Sequence, residues 1–483
     1  MSANALLTLM GEQGKSSGND FEIVEQEYAL EEKFFMNLSY WNLHYRNDFR
    51  KQHKLLGCCN GGYLDSNTVI TGGYETKKEW SSGFEAEDRV TILSLGRNLF
   101  NASGNPRTLR AAYGRYGLGI ELKDYDTGAF YGEYIKKLFM GTGFTGVFFT
   151  DEFDTLYALG CGSELGADLL LYTPPAIVDT DVKSIRGFTT SSTGGAIGYL
   201  KNNGDLYLMG NVGYISGTTL SWSSTTQRYL LATDVVDFYI ACANQMYITS
   251  DGCLYARGMN RQTVYTEAYD KRIQGSLFGD SFSDFMETPE LIDTDVVKIC
   301  SYKGLIQASP NALSFCYLKR DGTLIGCGYH VYGLNLEMSS KEYAQNRYVI
   351  DEGVTNAWET NGCVYYLKNG CTYVFGKNSW CCLGIGKFLD GVTSTSYKDF
   401  ISDTPRVLDP VKIADEEVEF VFVVPTDSVT TSNVVDYYDA QVSYVKYKNS
   451  NKIITNGYLN WIGDAFLGNS MGVGLELPEL PQD

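Results

Sequence analysis

Histidine is nearly missing from this chain. The 483 residues hold three, His44, His53 and His330, far apart in the sequence. A histidine zinc cage or a His-based catalytic triad therefore has almost nothing to be built from. Long apolar runs are also missing. Stretches such as Phe420 to Val424 fall far short of the roughly 18 residues a membrane helix needs, so no membrane insertion is expected. The first twenty residues have neither a basic region nor an apolar core, so no signal peptide is expected and synthesis in a reducing cytoplasm follows. Basic residues are in deficit, 39 against 58 acidic, which gives a net charge of −19. Such a chain is repelled by phosphate backbones, so nucleic acid is not an expected partner.

Catalytic and cofactor motifs are scarce as well. There is no HExxH, no GxxxxGK[ST] and no GxSxG. GTGFTG (141–146) matches a dinucleotide pattern in form, but a strand and hairpin follow it where a helix is required. Asp151, Glu152 and Asp154 lack the alternating spacing of a calcium loop and read as a solvated turn. The twelve cysteines form no CxxC pair; Cys58–Cys59 and Cys381–Cys382 are adjacent, and Cys253, Cys316 and Cys363 sit in apolar strands. They read as small buried hydrophobes. No cofactor, no metal and no enzymatic activity are expected.

What is abundant is glycine (51) and tyrosine (36), and both recur periodically. Short strands ending in glycine appear at LSLGRN (93–98), LYALGCGSELG (156–166), LYLMGN (206–211), LYARGMN (254–260), LIGCGYHVYG (324–333), YVFGKNSWCCLG (373–384) and, degraded, IITNGYLNWIG (453–463). The glycines Gly96, Gly160, Gly210, Gly258, Gly328, Gly376 and Gly457 are spaced by 64, 50, 48, 70, 48 and 81 residues. Three nearly equal spacings define a unit of about 50 residues, lengthened elsewhere by insertions. Before each glycine strand lies an alternating hairpin: YLKNNGDLY (199–207), YITSDGCLY (247–255), YLKRDGTLI (317–325) and YLKNGCTYV (366–374). Asn203-Gly204, Asp251-Gly252, Asp321-Gly322 and Asn369-Gly370 predict type I′ turns, since Gly and Asn or Asp tolerate positive φ. A third element, TPPAIVDTDVKSIRG (173–187) and its copy TPELIDTDVVKICS (288–301), adds a Val/Ile-rich strand entered through an Asp-rich turn.

A unit of three or four short antiparallel strands cannot bury both faces of its sheet alone, and a flat stack would leave edges open. Radial closure solves both problems, so the expectation is an all-β β-propeller of six or seven blades, seven preferred, with VITGG (69–73) able to supply a closing strand. The hairpin followed by an LYxxG strand resembles the regulator of chromosome condensation repeat family over roughly 90–470. That resemblance implies a seven-bladed propeller. The family's common Gly-His pair before the inner strand is missing here, and no functional residue can be carried over.

The expected organisation is an N-terminal arm at 1–57, the propeller at 58–470 and an acidic tail at 471–483. Apolar spacing from Glu22 to Leu56 allows a helix, and Phe34, Phe35, Tyr40, Trp41 and Tyr45 are the candidate docking contacts of that arm. The loops after the strand glycines are rich in Tyr, Trp, Asn and Ser, a composition suited to protein recognition; Tyr214, Trp222, Tyr329, His330, Tyr332 and Trp380 are the candidate binding residues. The functional expectation is a non-enzymatic binding or structural module in a large assembly, for instance a bacteriophage virion or tail, with protein partners. The alternatives are a guanine-nucleotide exchange regulator of a small GTPase and a propeller enzyme using paired carboxylates.

Overall fold

The computed structural model describes residues 21–26 and 28, three short strand pairings within 58–120, and most of 137–476. These described residues form almost entirely antiparallel β-structure. Six four-stranded sheets succeed one another, each a simple up-and-down meander. Sheet 1 comprises Lys137–Phe139, Val147–Thr150, Leu156–Leu159 and Ala176–Asp179. Sheet 2 comprises Val182–Thr190, Gly194–Lys201, Leu206–Ser216 and Thr219–Ala232. Sheet 3 comprises Val235–Ile240, Asn244–Thr249, Leu254–Met259 and Phe285–Asp293. Sheet 4 comprises Val296–Ile299, Ser314–Lys319, Leu324–Gly328 and Tyr348–Asp351. Sheet 5 comprises Val354–Thr360, Cys363–Lys368, Cys371–Lys377 and Arg406–Ala414. Sheet 6 comprises Val418–Pro425, Gln441–Tyr447, Ile453–Tyr458 and Met471–Glu476. The last of these strands draws on residues that the sequence assigns to the tail. Residues 69–73 and 141–146, with Gly96 and Gly160, lie outside the described residues.

The core lies between sheets rather than within them. Tyr239, Met246 and Ile248 of sheet 3 pack with Val296, Phe315 and Tyr317 of sheet 4. Val297, Cys316 and Leu318 of sheet 4 pack in turn with Val354, Ala357 and Val364 of sheet 5. Trp358 and Tyr365 of sheet 5 then meet Val418, Val421 and Val445 of sheet 6. Sheets 3, 4 and 5 each bury both faces on their two neighbours, the packing of a β-propeller. The abundance of tyrosine has a structural role here. Tyr199–Tyr207, Tyr247–Tyr255 and Tyr366–Tyr373 are stacked cross-strand pairs with centroids 5.5, 5.3 and 5.4 Å apart.

The hairpin turns differ from expectation in three of four copies. Only Asn369-Gly370 is a two-residue loop with both φ values positive, 54° and 74°, as a type I′ turn requires. In the other three the glycine alone is left-handed and the loop has one more residue. Gly204, Gly252 and Gly322 donate their N–H to Lys201, Thr249 and Lys319, at 3.0, 2.8 and 3.0 Å, closing a type I turn followed by a glycine bulge. Asn203, Asp251 and Asp321 are there for another reason: each carboxyl or amide oxygen accepts the N–H two residues on.

The longer loop has a purpose in the ring. The carbonyls of Gly204, Gly252 and Gly322 accept the N–H of Val235, Val296 and Val354, the first residue of the next sheet, at 2.9, 3.0 and 2.9 Å. The shorter loop of sheet 5 is replaced in this role by a side chain. Val418 N–H donates to the Thr372 hydroxyl, which donates to the Glu416 carbonyl. A Cβ at Gly322 would stand 3.2 Å from the Val354 carbonyl oxygen at a φ of +84°. Gly322→Ala should therefore cost about 1–3 kcal/mol in urea unfolding, from left-handed strain plus disturbance of this junction. Gly370→Ala, with open space around it, should cost less.

The repeated strand glycines mark a third device. Gly210, Gly258, Gly376 and Gly457 have φ values of 88°, 118°, 95° and 108°, and each sits at a bulge between the third and fourth strands. Only glycine adopts this conformation without strain, which accounts for its recurrence.

Side chains complete the junctions between sheets. At the end of the fourth strand of sheets 1, 3 and 4 stands an aspartate: Asp179, Asp293 and Asp351. Each reaches the YLK segment on the second strand of the following sheet. One carboxylate oxygen accepts the hydroxyl of Tyr199, Tyr317 or Tyr366 at 2.8, 2.7 and 2.8 Å. The other faces the ammonium of Lys201, Lys319 or Lys368 at 3.4, 2.9 and 2.6 Å, and also accepts the next backbone N–H. At the junction of sheets 2 and 3 the aspartate and lysine positions hold Ala232 and Thr249, so both partners are replaced together.

Candidate functional site

Two regions are candidates for a functional site. The first is the face formed by the connections from third to fourth strands. In sheet 2 this connection is an extended ribbon. Beyond Gly210 the third strand pairs with the fourth alone, from Asn211↔Ser224 to Ser216↔Thr219. In sheet 3 the same connection carries a separate hairpin, Arg261–Thr266 with Lys271–Ser276. Strand order in a meander sends both to the same end of the sheets, so two neighbouring hairpins project from one face. Tyr214 and Trp222, singled out by the sequence, both lie in the sheet 2 ribbon, paired with Ser221 and Gly213. Their side chains, and all of Tyr329, His330, Tyr332 and Trp380, lie outside the described residues, as do Phe34, Phe35, Tyr40, Trp41 and Tyr45.

The second region has no counterpart in the sequence expectations. It is a buried polar network on the first strands. Asp237, in sheet 3, accepts the N–H of Phe238 at 2.9 Å and of Ile299, in sheet 4, at 2.8 Å. Burial pushes its carboxyl upward, while Arg186 of sheet 2 and Lys298 of sheet 4 pull it back toward the charged form. Arg186 also bonds Ser184 and stacks on Phe238; Lys298 donates to Asn356 at 2.8 Å and to the Ala357 carbonyl, and lies over Trp358. Ser184, Asp237, Lys298 and Asn356 each stand two residues after the first valine of their sheet. The residue type changes from copy to copy, so no repeat alignment shows a motif there.

The short helix at residues 22–26 and 28 rests on this network. The Tyr28 hydroxyl donates to Asp237 at 3.2 Å, and its ring meets the Arg186 guanidinium at 5.4 Å and the Lys183 ammonium at 5.3 Å. Glu25 pairs with Lys183, while Phe21 and Ile23 pack on the clusters joining sheets 3 to 4 and 4 to 5. The described part of the N-terminal arm is thus bound to the propeller itself.

The first strands bear two buried carboxylates among the described residues, Asp237 and Glu359. Both are committed internally, for Glu359 accepts the Ser301 hydroxyl and the Gly362 N–H at 2.7 Å. Asp151 likewise holds its own turn, accepting the N–H of Phe153 and Thr155 at 3.0 and 2.8 Å; it is buried, not solvated. Asp154 closes that turn with a φ of 57°, and Glu152 lies outside the described residues. Among the described residues, no helix is long and apolar enough to cross a membrane.

Comparison with solved structures supports the propeller fold. Prp20p from Saccharomyces cerevisiae, studied for its binding to Gsp1p and histones, aligns with a TM-score of 0.50 at 13% identity, over 84% of this chain and 89% of its own. This chain has the fold of the regulator of chromosome condensation propellers. Yeast Prp20 in its complex with Kap60 aligns with a TM-score of 0.49 at 13% identity, over 87% and 90% of the two chains. Human WBSCR16 aligns with a TM-score of 0.45 at 13% identity, over 71% and 82%. No family model and no curated protein matches the sequence. The likeness is therefore one of fold, and activity must be argued from the residues.

Proposed function

We propose that this protein is a non-enzymatic recognition propeller whose protein partner docks on the face carrying the third-to-fourth-strand connections. The observation that supports this most directly is the pair of hairpins in the same connection of neighbouring sheets 2 and 3, Asn211–Ser224 and Arg261–Ser276. Ribbons pre-formed by strand pairing give a partner contact area with little ordering cost. The aromatic residues Tyr214 and Trp222 in the first ribbon suit such a contact, with Tyr329, His330, Tyr332 and Trp380 in the equivalent connections of sheets 4 and 5. The internal commitment of Asp237 and Glu359 supports the non-enzymatic part of the reading. In this reading the protein belongs to a larger assembly such as a virion or tail, attached through Phe34, Phe35, Tyr40, Trp41 and Tyr45.

The likeness of fold to Prp20p, a protein that binds Gsp1p, favours a second reading, a regulator of a small GTPase by nucleotide exchange. One set of measurements separates the two. Residues 212–223 are replaced by a two-residue turn, the melting curve confirms that the ring is intact, and quantitative mass spectrometry compares the partners co-purified from the native host. Loss of a defined partner set is expected; an unchanged set would remove this face from consideration. Accelerated GDP release from a panel of small GTPases would establish the second reading.

A further inference from the structure

The thiols of Cys363 and Cys382 lie 3.0 Å apart, both fully buried, where sheet 5 gives rise to its third-to-fourth-strand connection. Both also point at one acceptor, the Lys377 carbonyl, at 3.0 Å from Cys363 and 3.7 Å from Cys382. The surrounding structure holds them there. Cys363 opens the second strand of sheet 5 and is fixed by its ladder to Gly376. Cys382 sits in a turn whose carbonyl accepts the Tyr365 hydroxyl at 2.7 Å. The Asn378 side chain spans the same turn, accepting Leu383 N–H at 2.9 Å and donating to the Ile385 and Thr404 carbonyls at 3.1 and 2.7 Å. Two sulfurs held this close need about 1 Å of approach to reach covalent bonding distance.

We propose that Cys363 and Cys382 form a redox-modification site that becomes an intramolecular disulfide on reaction with a small-molecule disulfide of the glutathione class. In the first step one cysteine thiolate attacks the small disulfide, forming a mixed disulfide and expelling one small thiolate. In the second, the other cysteine thiolate attacks the protein sulfur of that mixed disulfide, and the second small thiolate leaves. The two cysteine protons end on the two small thiols, so the protein pair is oxidised and the reagent reduced. Burial pushes the Cys363 thiol up and so disfavours its thiolate. The product staples the root of the sheet 5 connection to the second strand. This chemistry depends on the sulfur geometry alone and is independent of the binding face proposed above.

The test uses the full chain under native conditions with oxidised glutathione, followed by alkylation of remaining thiols, tryptic digestion without reduction and mass spectrometry. Cleavage after Arg347, Lys368, Lys377 and Lys387 puts Cys363 in peptide 348–368, Cys371 in 369–377, and Cys381 with Cys382 in 378–387. The expected product is peptide 348–368 joined to 378–387 and short of two hydrogen masses, with fragment ions placing the bond at Cys382. It should persist in Cys381→Ser, vanish in Cys382→Ser, revert with dithiothreitol and raise the melting temperature. Cys253, partly exposed in its turn, should take a simple glutathione adduct and so report that the oxidant was active. Adduct at Cys253 with Cys363 and Cys382 both alkylated on unfolding would overturn the proposal. So would a bond mapped to Cys381 in the unsubstituted chain, a measurement that does not depend on any variant folding.

Discussion

Replacing Asp237 with alanine should destabilise the protein by about 3–5 kcal/mol, the cost of removing one partner from a buried charged network. The carboxylate sits fully enclosed between Arg186 and Lys298, and three sheets contribute to its surroundings. Its loss leaves the N–H of Ile299 and Phe238 without their acceptor and two cations with less negative charge between them. Asp237→Asn keeps an acceptor of the same shape and should cost about half as much, since hydrogen bonds survive while the charge does not. Tyr28→Phe removes only the hydroxyl that reaches Asp237 and should cost about 1 kcal/mol. Guanidinium unfolding followed by tryptophan fluorescence orders the three variants. A neutral Asp237→Ala would show that the first strands are held by their apolar contacts alone.

How far these devices are legible in the sequence depends on the range over which each acts. The hairpins and strand glycines act within a few residues, so their types recur and the period shows. The DTDV segments are also legible, although they contain the end of one strand and the start of the next: Ala176–Asp179 and Val182–Thr190 belong to different sheets. Turn type is harder to read because one loop residue decides it, and because Asn203 and Asp321 serve as side-chain acceptors rather than left-handed residues. The Asp–Tyr–Lys junction joins residues on neighbouring sheets, so its lysine and tyrosine read as ordinary hairpin residues until the sheets are packed. The network at Asp237 is illegible for a different reason: its partners are complementary rather than alike, with Ser, Asp, Lys and Asn at the equivalent position of successive copies and Arg186 two residues beyond its own. The proposed binding face is legible in composition only, because aromatic and small polar residues suit both a core and a contact.

The junction aspartates supply the remaining large effect and a pH dependence. Burial alone would raise the carboxyl of Asp351, but Lys368, the Tyr366 hydroxyl and the Glu352 N–H outweigh it and leave the group below its ordinary value. Asp293 and Asp179 behave alike, with Tyr317 and Lys319 offsetting burial at one and Thr180 N–H, Tyr199 and Arg228 at the other. A carboxyl whose pKa is lower folded than unfolded stabilises the fold above the unfolded value, near 4, and loses that contribution as pH falls through the folded value. Stability should therefore be flat near neutrality and decline below about pH 4, with a shallower decline in Asp351→Ala. That variant leaves a buried tyrosine hydroxyl and a half-buried ammonium unpaired, and should cost about 2–3 kcal/mol at pH 7. The junction of sheets 2 and 3 offers the converse measurement. Tyr247 remains there, its hydroxyl pushed up to about 12 chiefly by burial, with Ala232 and Thr249 in place of the charged pair. Ala232→Asp alone brings a carboxylate next to Tyr247 with no lysine beside it, and Thr249→Lys alone an ammonium with no carboxylate. Only the double variant rebuilds what the junctions of sheets 1 and 2, 3 and 4, and 4 and 5 have. A favourable coupling of about 1 kcal/mol in the double-mutant cycle is expected, and strict additivity would mean that the junctions are held by backbone hydrogen bonds and packing without help from the charged pair.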